Sequence, residues 1–356
     1  MTKKEKIQKS NLFFASSKEN SQLIFKLYTH TKEHYKKVYK PIYKRLSGLF
    51  LLAWIFAIQR NLPTEIVKEI SQYSFKKHIA KLPEKFYTNY WYNILGKIYF
   101  IQCYTILKKY DINTLYIYDD ISIINKACII AAQYLKIDIK ILHKGYKENI
   151  IMIDGSSTRW HNSIPRNHDL YQNLNPSKTY ITQKPQQAHN IVLVLLQNDL
   201  LPETVLYSPW VLNQKHMVRI IGNVAKILPE TQFIVFNASE PNTETQNFHF
   251  TTKPLREFLP FCKCVITINN QQALEALEEQ KPIITLGNCF FNINSIANPV
   301  GSEKQLLETL KNIEKIPFDV QTANGFLYCL NDVFAIKFQN VENPQPEELD
   351  AILKFV

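Results

Sequence analysis

The chain has 356 residues, of which 46% are apolar and 12% aromatic, and a formal net charge of +11. That composition excludes a disordered chain and is long enough for two domains of ordinary size, each with its own core. Only eight glycines are present, and neither a Gly-rich dinucleotide fingerprint nor a P-loop occurs, so a nucleotide bound here is bound by other means.

Charge divides unevenly. Residues 1–150 hold 26 Lys and Arg against 11 Asp and Glu, a net of +15, whereas residues 151–356 hold 16 against 20, a net of −4. A basic half invites an anionic partner. A lysine-rich solvated surface, from an AT-rich genome that favours Lys, Ile and Asn, is the plainer reading and stays open.

The opening "MTKKEKIQKSNLFF" is basic and polar, with no apolar stretch of a secretory signal behind it. The first hundred residues have apolar positions at three- and four-residue spacing, broken at Pro63 and Pro83, which predicts helices. Their most apolar run, "LFLLAWIFAI", is roughly half of what a membrane span requires and reads as a buried helix. The adjoining "EHYKKVYKPIYKRLSGLF" interleaves bases with aromatics, which suits a membrane surface better than a nucleic-acid groove. No helix-turn-helix, zinc-finger or RNA-binding signature appears, and no nucleic-acid partner is expected. The expected location is cytoplasmic, with peripheral contact at the inner face of the cytoplasmic membrane.

From residue 113 the pattern changes. "NTLYIYDD" reads as a buried strand ending in two acids, "ISIINKACIIAAQYLK" (121–136) as a helix, and "IDIKILHKG" (137–145) as a strand. This βαβ unit predicts a parallel sheet. Asp120 is either a base or the cap of helix 121–136, and His143 either a base near neutral pH or a strand-end histidine with a solvent partner. The polar stretch 172–189, with two prolines, reads as an interdomain linker. A second alternation follows: strand 191–197, helix about 209–228, strand 232–237, helix 254–261, then "VITINNQQALEALEEQKPIITLG" (265–287) as strand, helix 271–279 and strand, and a helix near 303–314.

The six cysteines form no CxxC pair and no zinc spacing, so buried free thiols in a reducing compartment are expected, with no metal site. In the 265–287 stretch the amides Asn269, Asn270, Gln271 and Gln272 stand where a strand enters a helix. The helix N-terminus would then make an anion site without glycines, and Glu275, one turn in from Gln271, would accept hydrogen bonds from sugar hydroxyls. Equally, Asn269 and Asn270 would simply cap the helix and Glu275 would be solvated.

These residues resemble a family. "TINNQQALEALEEQKPIITLG" is similar to the "NSxxGLEALxxGKPVxxLG" segment of bacterial capsule polysaccharide synthesis proteins, the KpsC/KpsS-like β-Kdo transferases. "YDDISIINKACIIAAQYLKIDIKILHKGYKEN" matches their "GDxRxxHxxA" and "ExGYxRP" segments, "TRWHNSIP" (158–165) the segment ending "NSSLP", and "LLQNDLLPETVLYSPW" the "PLQ…D…SP" strand and loop. The resemblance spans roughly 114–290. It implies an α/β chain of GT-B architecture, two Rossmann-like domains with a cleft between them: residues 1–171 on the acceptor side, a linker at 172–189, and a nucleotide-sugar-binding domain at 190–356. It implies a glycosyltransferase of capsule or lipopolysaccharide synthesis that moves Kdo from CMP-Kdo to a saccharide or lipid-linked acceptor, with no cofactor and no obligatory metal.

Carried over position by position, the family's Asp is kept as Asp120, while its Arg and His fall on Ser122 and Asn125. Its Glu falls on His143, and Glu240 stands where the "KxHP" His would be. Gln197, Glu275, Pro282 and Gly287 survive, and the nucleotide-side "NS" pair becomes Asn269-Asn270. On this reading Asp120, His143 and Glu240 are the catalytic candidates, and Gln197, Asn269, Asn270, Gln271 and Glu275 bind the nucleotide. Because charged positions change type while scaffold positions persist, either the donor or acceptor differs, or the chain is a non-catalytic binding or scaffold subunit of a polysaccharide assembly complex.

Overall fold

The computed structural model describes residues 11–14, 21–34, 38–39, 86–120, 122–156, 162–181, 188–197, 207–237 and 246–355. The run 49–58 lies outside them, as does Glu240. The chain is α/β, as its alternation predicts, with two separate six-stranded sheets in two compact units.

The first unit opens with β1 (Asn11–Phe14), α1 (Ser21–His34) and β2 (Val38–Tyr39). Then come α2 (Phe86–Lys109), β3 (Thr114–Tyr118), α3 (Ile123–Tyr134), β4 (Asp138–Lys144) and β5 (Ile150–Asp154). β1 is buried throughout and pairs in parallel with both β2 and β3, an inner position that the basic opening of the sequence does not announce. β3 and β4 pair in parallel with Tyr118 opposite Leu142, which is the predicted βαβ unit. Side chains alternate across this sheet. Leu115, Ile117, Ile139 and Ile141 pack under α2 and α3, while Tyr116 and Leu142 join Phe13 and Ile24 on the other face. Each fully buried Leu, Ile or Phe contributes roughly 1.5–3 kcal/mol.

The second unit begins with α4 (His168–Gln172) and β6 (Ile191–Leu195). It continues with α5 (Gln214–Ile227), β7 (Gln232–Phe236), β8 (Phe248–Thr251) and β9 (Cys264–Thr267). A short α6 (Glu275–Glu278), β10 (Ile283–Thr285), β11 (Ala297–Pro299), α7 (Glu303–Lys311) and α8 (Val320–Tyr328) complete it. All six strands are parallel, in the order β11-β10-β9-β6-β7-β8. Counted from the first strand of the unit this is the 3-2-1-4-5-6 order of a doubly wound fold, in which the winding reverses between β6 and β9.

The chain then returns to the first unit. β12 (Ala335–Lys337) pairs antiparallel with β5, and α9 (Pro346–Lys354) buries Leu349 and Ile352 in that unit's core. The domain ends predicted from sequence are corrected accordingly: the first unit is Met1–Ser163 with Ala335–Val356, and the second is Ile164–Phe334. Nor is 172–189 a free linker over its described part. Tyr171 is fully buried edge-on to Phe326, at 5.2 Å between ring centroids, and the Tyr180 N–H donates to Asn324 Oδ1 at 2.7 Å, so this segment is docked on α8.

Two predicted helices are also corrected. Residues 254–261 form two 3-10 turns, Leu255–Glu257 and Leu259–Phe261, and the predicted helix 271–279 is a 3-10 turn, Gln271–Leu274, followed by one α-turn. All six cysteines are free and buried. Among the described residues no helix is long and apolar enough to cross a membrane.

Candidate functional site

In doubly wound sheets ligands sit at the carboxyl ends of the strands, where the winding reverses. In the second unit that point lies between β6 and β9. Just past β6, Gln197 is 6% exposed, and its Oε1 accepts a hydrogen bond from the backbone N–H of Asn269, just past β9, at 3.1 Å. Because Oε1 is engaged, the orientation of the amide is set. Gln214, at the start of α5, donates from Nε2 to the carbonyls of Gln197 (3.4 Å) and Asn237 (2.8 Å), which ties the ends of β6 and β7. Asn237 is held in the left-handed region, at φ 61°, as it leaves β7.

The amide cluster divides its labour. Thr267 donates its hydroxyl to the Leu195 carbonyl (3.3 Å) and accepts from the Asn270 N–H (3.0 Å). Asn270 caps the 3-10 turn, its Oδ1 accepting from the Gln272 N–H at 3.0 Å. The capping reading therefore holds for Asn270, whereas Asn269 is buried and reaches the Asn288 carbonyl at 3.5 Å. The expected helix-end anion site is weakened. A 3-10 turn and a single α-turn carry little macrodipole, and Asn270 itself takes the Gln272 and Ala273 N–H groups. With three residues per 3-10 turn, Glu275 no longer stacks one α-turn above Gln271. Its Oε2 accepts from Arg256 Nε at 2.6 Å, a partner the sequence reading missed because Arg256 sits in a segment read as an ordinary helix.

Gly287 closes this edge. A Cβ there would come within 2.9 Å of both Ile268 Cγ2 and the Tyr207 carbonyl oxygen, so the strand end after β10 packs in a space only glycine fits.

In the first unit the corresponding edge carries Asp119, Asp120 and His143, each buried. Asp119 has φ 55° and its N–H donates to the Leu142 carbonyl at 2.7 Å, which joins the ends of β3 and β4. Asn125, fully buried, donates from Nδ2 to the carbonyls of Tyr118 (2.9 Å) and Asp119 (3.1 Å) and to Asp119 Oδ1 (3.0 Å). Burial, then the Asp119 carboxylate, push the Tyr118 phenol above its usual range. Ser122 caps α3, its Oγ accepting from the Asn125 N–H at 3.1 Å, so Asp120 is not that cap. The two positions at which the family carries Arg and His thus do structural work here. His143 is 5% exposed, and its Nδ1 lies 3.1 Å from the Lys144 carbonyl, so Nδ1 carries the proton and the expected solvent partner is replaced by backbone.

Sequence reasoning passed over Asp154. Its Oδ1 accepts from the N–H and hydroxyl of Ser156 (2.7 and 2.8 Å), and its Oδ2 from the N–H and hydroxyl of Ser163 (2.7 and 2.6 Å). One buried carboxylate thereby fixes both ends of the connection after β5. Among the described residues no group of three or more His, Cys, Asp or Glu is arranged to hold a metal ion.

A family model described as "Capsule polysaccharide biosynthesis protein" matches residues 229–314, the segment from β7 to α7 that contains Asn269, Asn270 and Glu275. Protein FixF of Sinorhizobium fredii (strain NBRC 101917 / NGR234) is 25% identical over 177 residues, 43% of this chain and 43% of that protein, so less than half of that relative is spanned. Among solved structures, the beta Kdo 2,7 transferase of Thermosulfurimonas dismutans KpsC aligns at 10% identity over 71% of this chain and 87% of its own, with a TM-score of 0.43. The UDP-GlcNAc 2-epimerase from Neisseria meningitidis bound to UDP-GlcNAc aligns at 11% identity over 90% and 99%, with a TM-score of 0.33. The matched segment is centred on the β9–β10 connection, and this part of the chain is similar to capsule polysaccharide biosynthesis proteins.

Proposed function

We propose that the chain is a nucleotide-sugar-dependent glycosyltransferase of surface-polysaccharide synthesis whose donor nucleotide binds at the carboxyl edge of the second sheet. The observation that carries this reading is the meeting of Gln197 and Asn269 where the winding reverses, with Asn269 inside the family-matched segment. Gln197, Asn269, Asn270 and Gln271 offer neutral donors to the phosphate, and Glu275 accepts from the ribose hydroxyls. Asp120 and His143 are the candidates for taking the acceptor's proton, and Glu240 remains a sequence-based candidate.

A donor with a single phosphate fits best, with Kdo from CMP-Kdo the first to test. The segments leaving β6, β7, β9 and β10 (residues 196–213, 237–247, 268–280 and 286–302) contain no Lys or Arg. Arg256, from the segment after β8, is already engaged by Glu275, so a diphosphate gains little charge pairing there, whereas the single charge of a phosphodiester is met by amide donors. The acceptor is a saccharide or a lipid-linked saccharide, and the basic N-terminal half contacts the anionic membrane that carries it; no metal takes part.

Calorimetric titration with CMP, against UMP, UDP and GDP, tests this. Saturable CMP binding that Glu275→Ala weakens supports it. Preference for a diphosphate overturns the donor, and affinity retained in Glu275→Ala overturns the site. A second reading, a non-catalytic subunit, is favoured by Ser122 and Asn125 being engaged in holding the β3–α3 turn. It expects no nucleotide binding and no donor hydrolysis from the folded protein.

A further inference from the structure

We infer that the amino-terminal edge of the first unit's sheet, where α2 turns into β3 and α3 into β4, docks on an anionic lipid surface. This deepens the membrane part of the proposed function and is independent of the donor.

The two turns are neighbours: the Asp138 N–H donates to the Asn113 carbonyl at 3.0 Å. Across them runs an aromatic ridge. Tyr134, 59% exposed on α3, meets the α2 rings of Phe100 (6.2 Å, 82°) and Tyr104 (6.0 Å, 66°) edge-on, and those two rings stack on each other at 6.1 Å. Lysines stand over two of the tyrosines, with Lys108 Nζ 5.7 Å above the Tyr104 ring and Lys109 Nζ 5.5 Å above Tyr110, itself 37% exposed. Lys136 is exposed in the next turn. The acids here are Asp111 and Asp138, and Asp138 has Lys140 at 3.8 Å, so the lysines outnumber them.

The anion is decided by what the rings have left to offer. Single strands bind by stacking successive bases on a series of open aromatic faces. Here Phe100 is buried, Tyr104 lies between Phe100 and Lys108, and Tyr110 has Lys109 above it, which leaves Tyr134 as the one ring of the ridge more than half exposed. What remains outward is tyrosine beside Lys ammoniums, the pairing that sits at headgroup level in a bilayer. β3 runs from this edge to Asp119 and Asp120, roughly 17 Å away, so a docked bilayer leaves the candidate residues uncovered.

The test is co-sedimentation of the full chain with phosphatidylcholine vesicles, with and without phosphatidylglycerol. Binding is expected only with the anionic lipid and falls with salt. The double variant Lys108→Gln/Lys109→Gln lowers the partition coefficient about thirtyfold, and Tyr134→Ser lowers it severalfold at unchanged charge, both with wild-type circular dichroism and melting. Binding to neutral vesicles alone, no binding of wild type, or full binding by both variants overturns the inference. Single-stranded RNA that binds wild type and is lost in Tyr134→Ser also overturns it. CMP titration of the same samples is unaffected by either outcome, so the donor reading stands or falls separately.

Discussion

The backbone N–H of Asn269 donates to Oε1 of Gln197 at 3.1 Å, across 72 positions of sequence, and so joins the two strand ends between which the second sheet reverses its winding. That bond lets stability and ligand binding be separated. Gln197→Leu leaves a buried N–H without its acceptor, which costs about 1–3 kcal/mol. Gln197→Glu keeps an acceptor for Asn269 while turning the opposite edge of the side chain from a donor into an anion. We expect Gln197→Glu to lose less stability in urea than Gln197→Leu, yet to bind CMP at least about tenfold more weakly than wild type. Equal affinity in Gln197→Glu and wild type would remove Gln197 from the phosphate.

Asp154 accepts four hydrogen bonds from Ser156 and Ser163. Asp154→Asn turns one oxygen into an NH2 group that faces two donors, so it should destabilise the first unit by about 2–4 kcal/mol. Ser156→Ala and Ser163→Ala, which each remove one hydroxyl and leave the backbone bonds, should cost about 1 kcal/mol each. Urea denaturation of the three variants checks the ranking.

Gly325 lies against the Tyr171 backbone, and a Cβ there would collide with the Tyr171 carbonyl. Backbone cannot swing aside as a long side chain can. Gly325→Ala should therefore cost about 1–3 kcal/mol despite the better helix propensity of alanine, and should loosen α4 from α8. Hydrogen exchange at residues 168–174 should rise in this variant while exchange in the β6–β9 core stays unchanged.

Asp319 caps α8. Burial pushes its carboxyl up, but hydrogen bonds from the Thr322 hydroxyl and the Gln321 and Thr322 N–H groups, with the nearby His168, outweigh that and hold it below its ordinary 3.8. His168 Nε2 reaches the same Thr322 hydroxyl at 3.2 Å, and its Nδ1 lies 3.1 Å from Asp169. A carboxyl whose folded pKa is depressed contributes stability that is fully present above its unfolded value and is lost as pH falls through the folded one. The stability difference between wild type and Asp319→Asn should therefore persist from neutral pH down to about pH 4 and shrink below it. A constant difference throughout acid unfolding would show that Asp319 stays unlinked to the fold.

The sequence by itself determined the local pieces. The apolar runs at 113–120, 191–197, 232–237 and 264–268, bounded by amides and acids, became β3, β6, β7 and β9, and the helical periodicities at 121–136 and 303–314 became α3 and α7, because these signals are written within one element. The six buried thiols were legible for the same reason. Only the tertiary structure decided that Asn11–Phe14 is an inner strand, that Ala335–Val356 returns to the first unit, and that Phe248–Thr251 and Ala297–Pro299 are the edges of the second sheet. A strand's place in the sheet depends on its partner, and β1 pairs with a strand about a hundred residues further on. It also assigned the amides: Asn270 to its own turn, Asn269 to Gln197, and Glu275 to Arg256. The four amides are adjacent in sequence, but which becomes cap and which becomes site is set by the strand beside which each one lands.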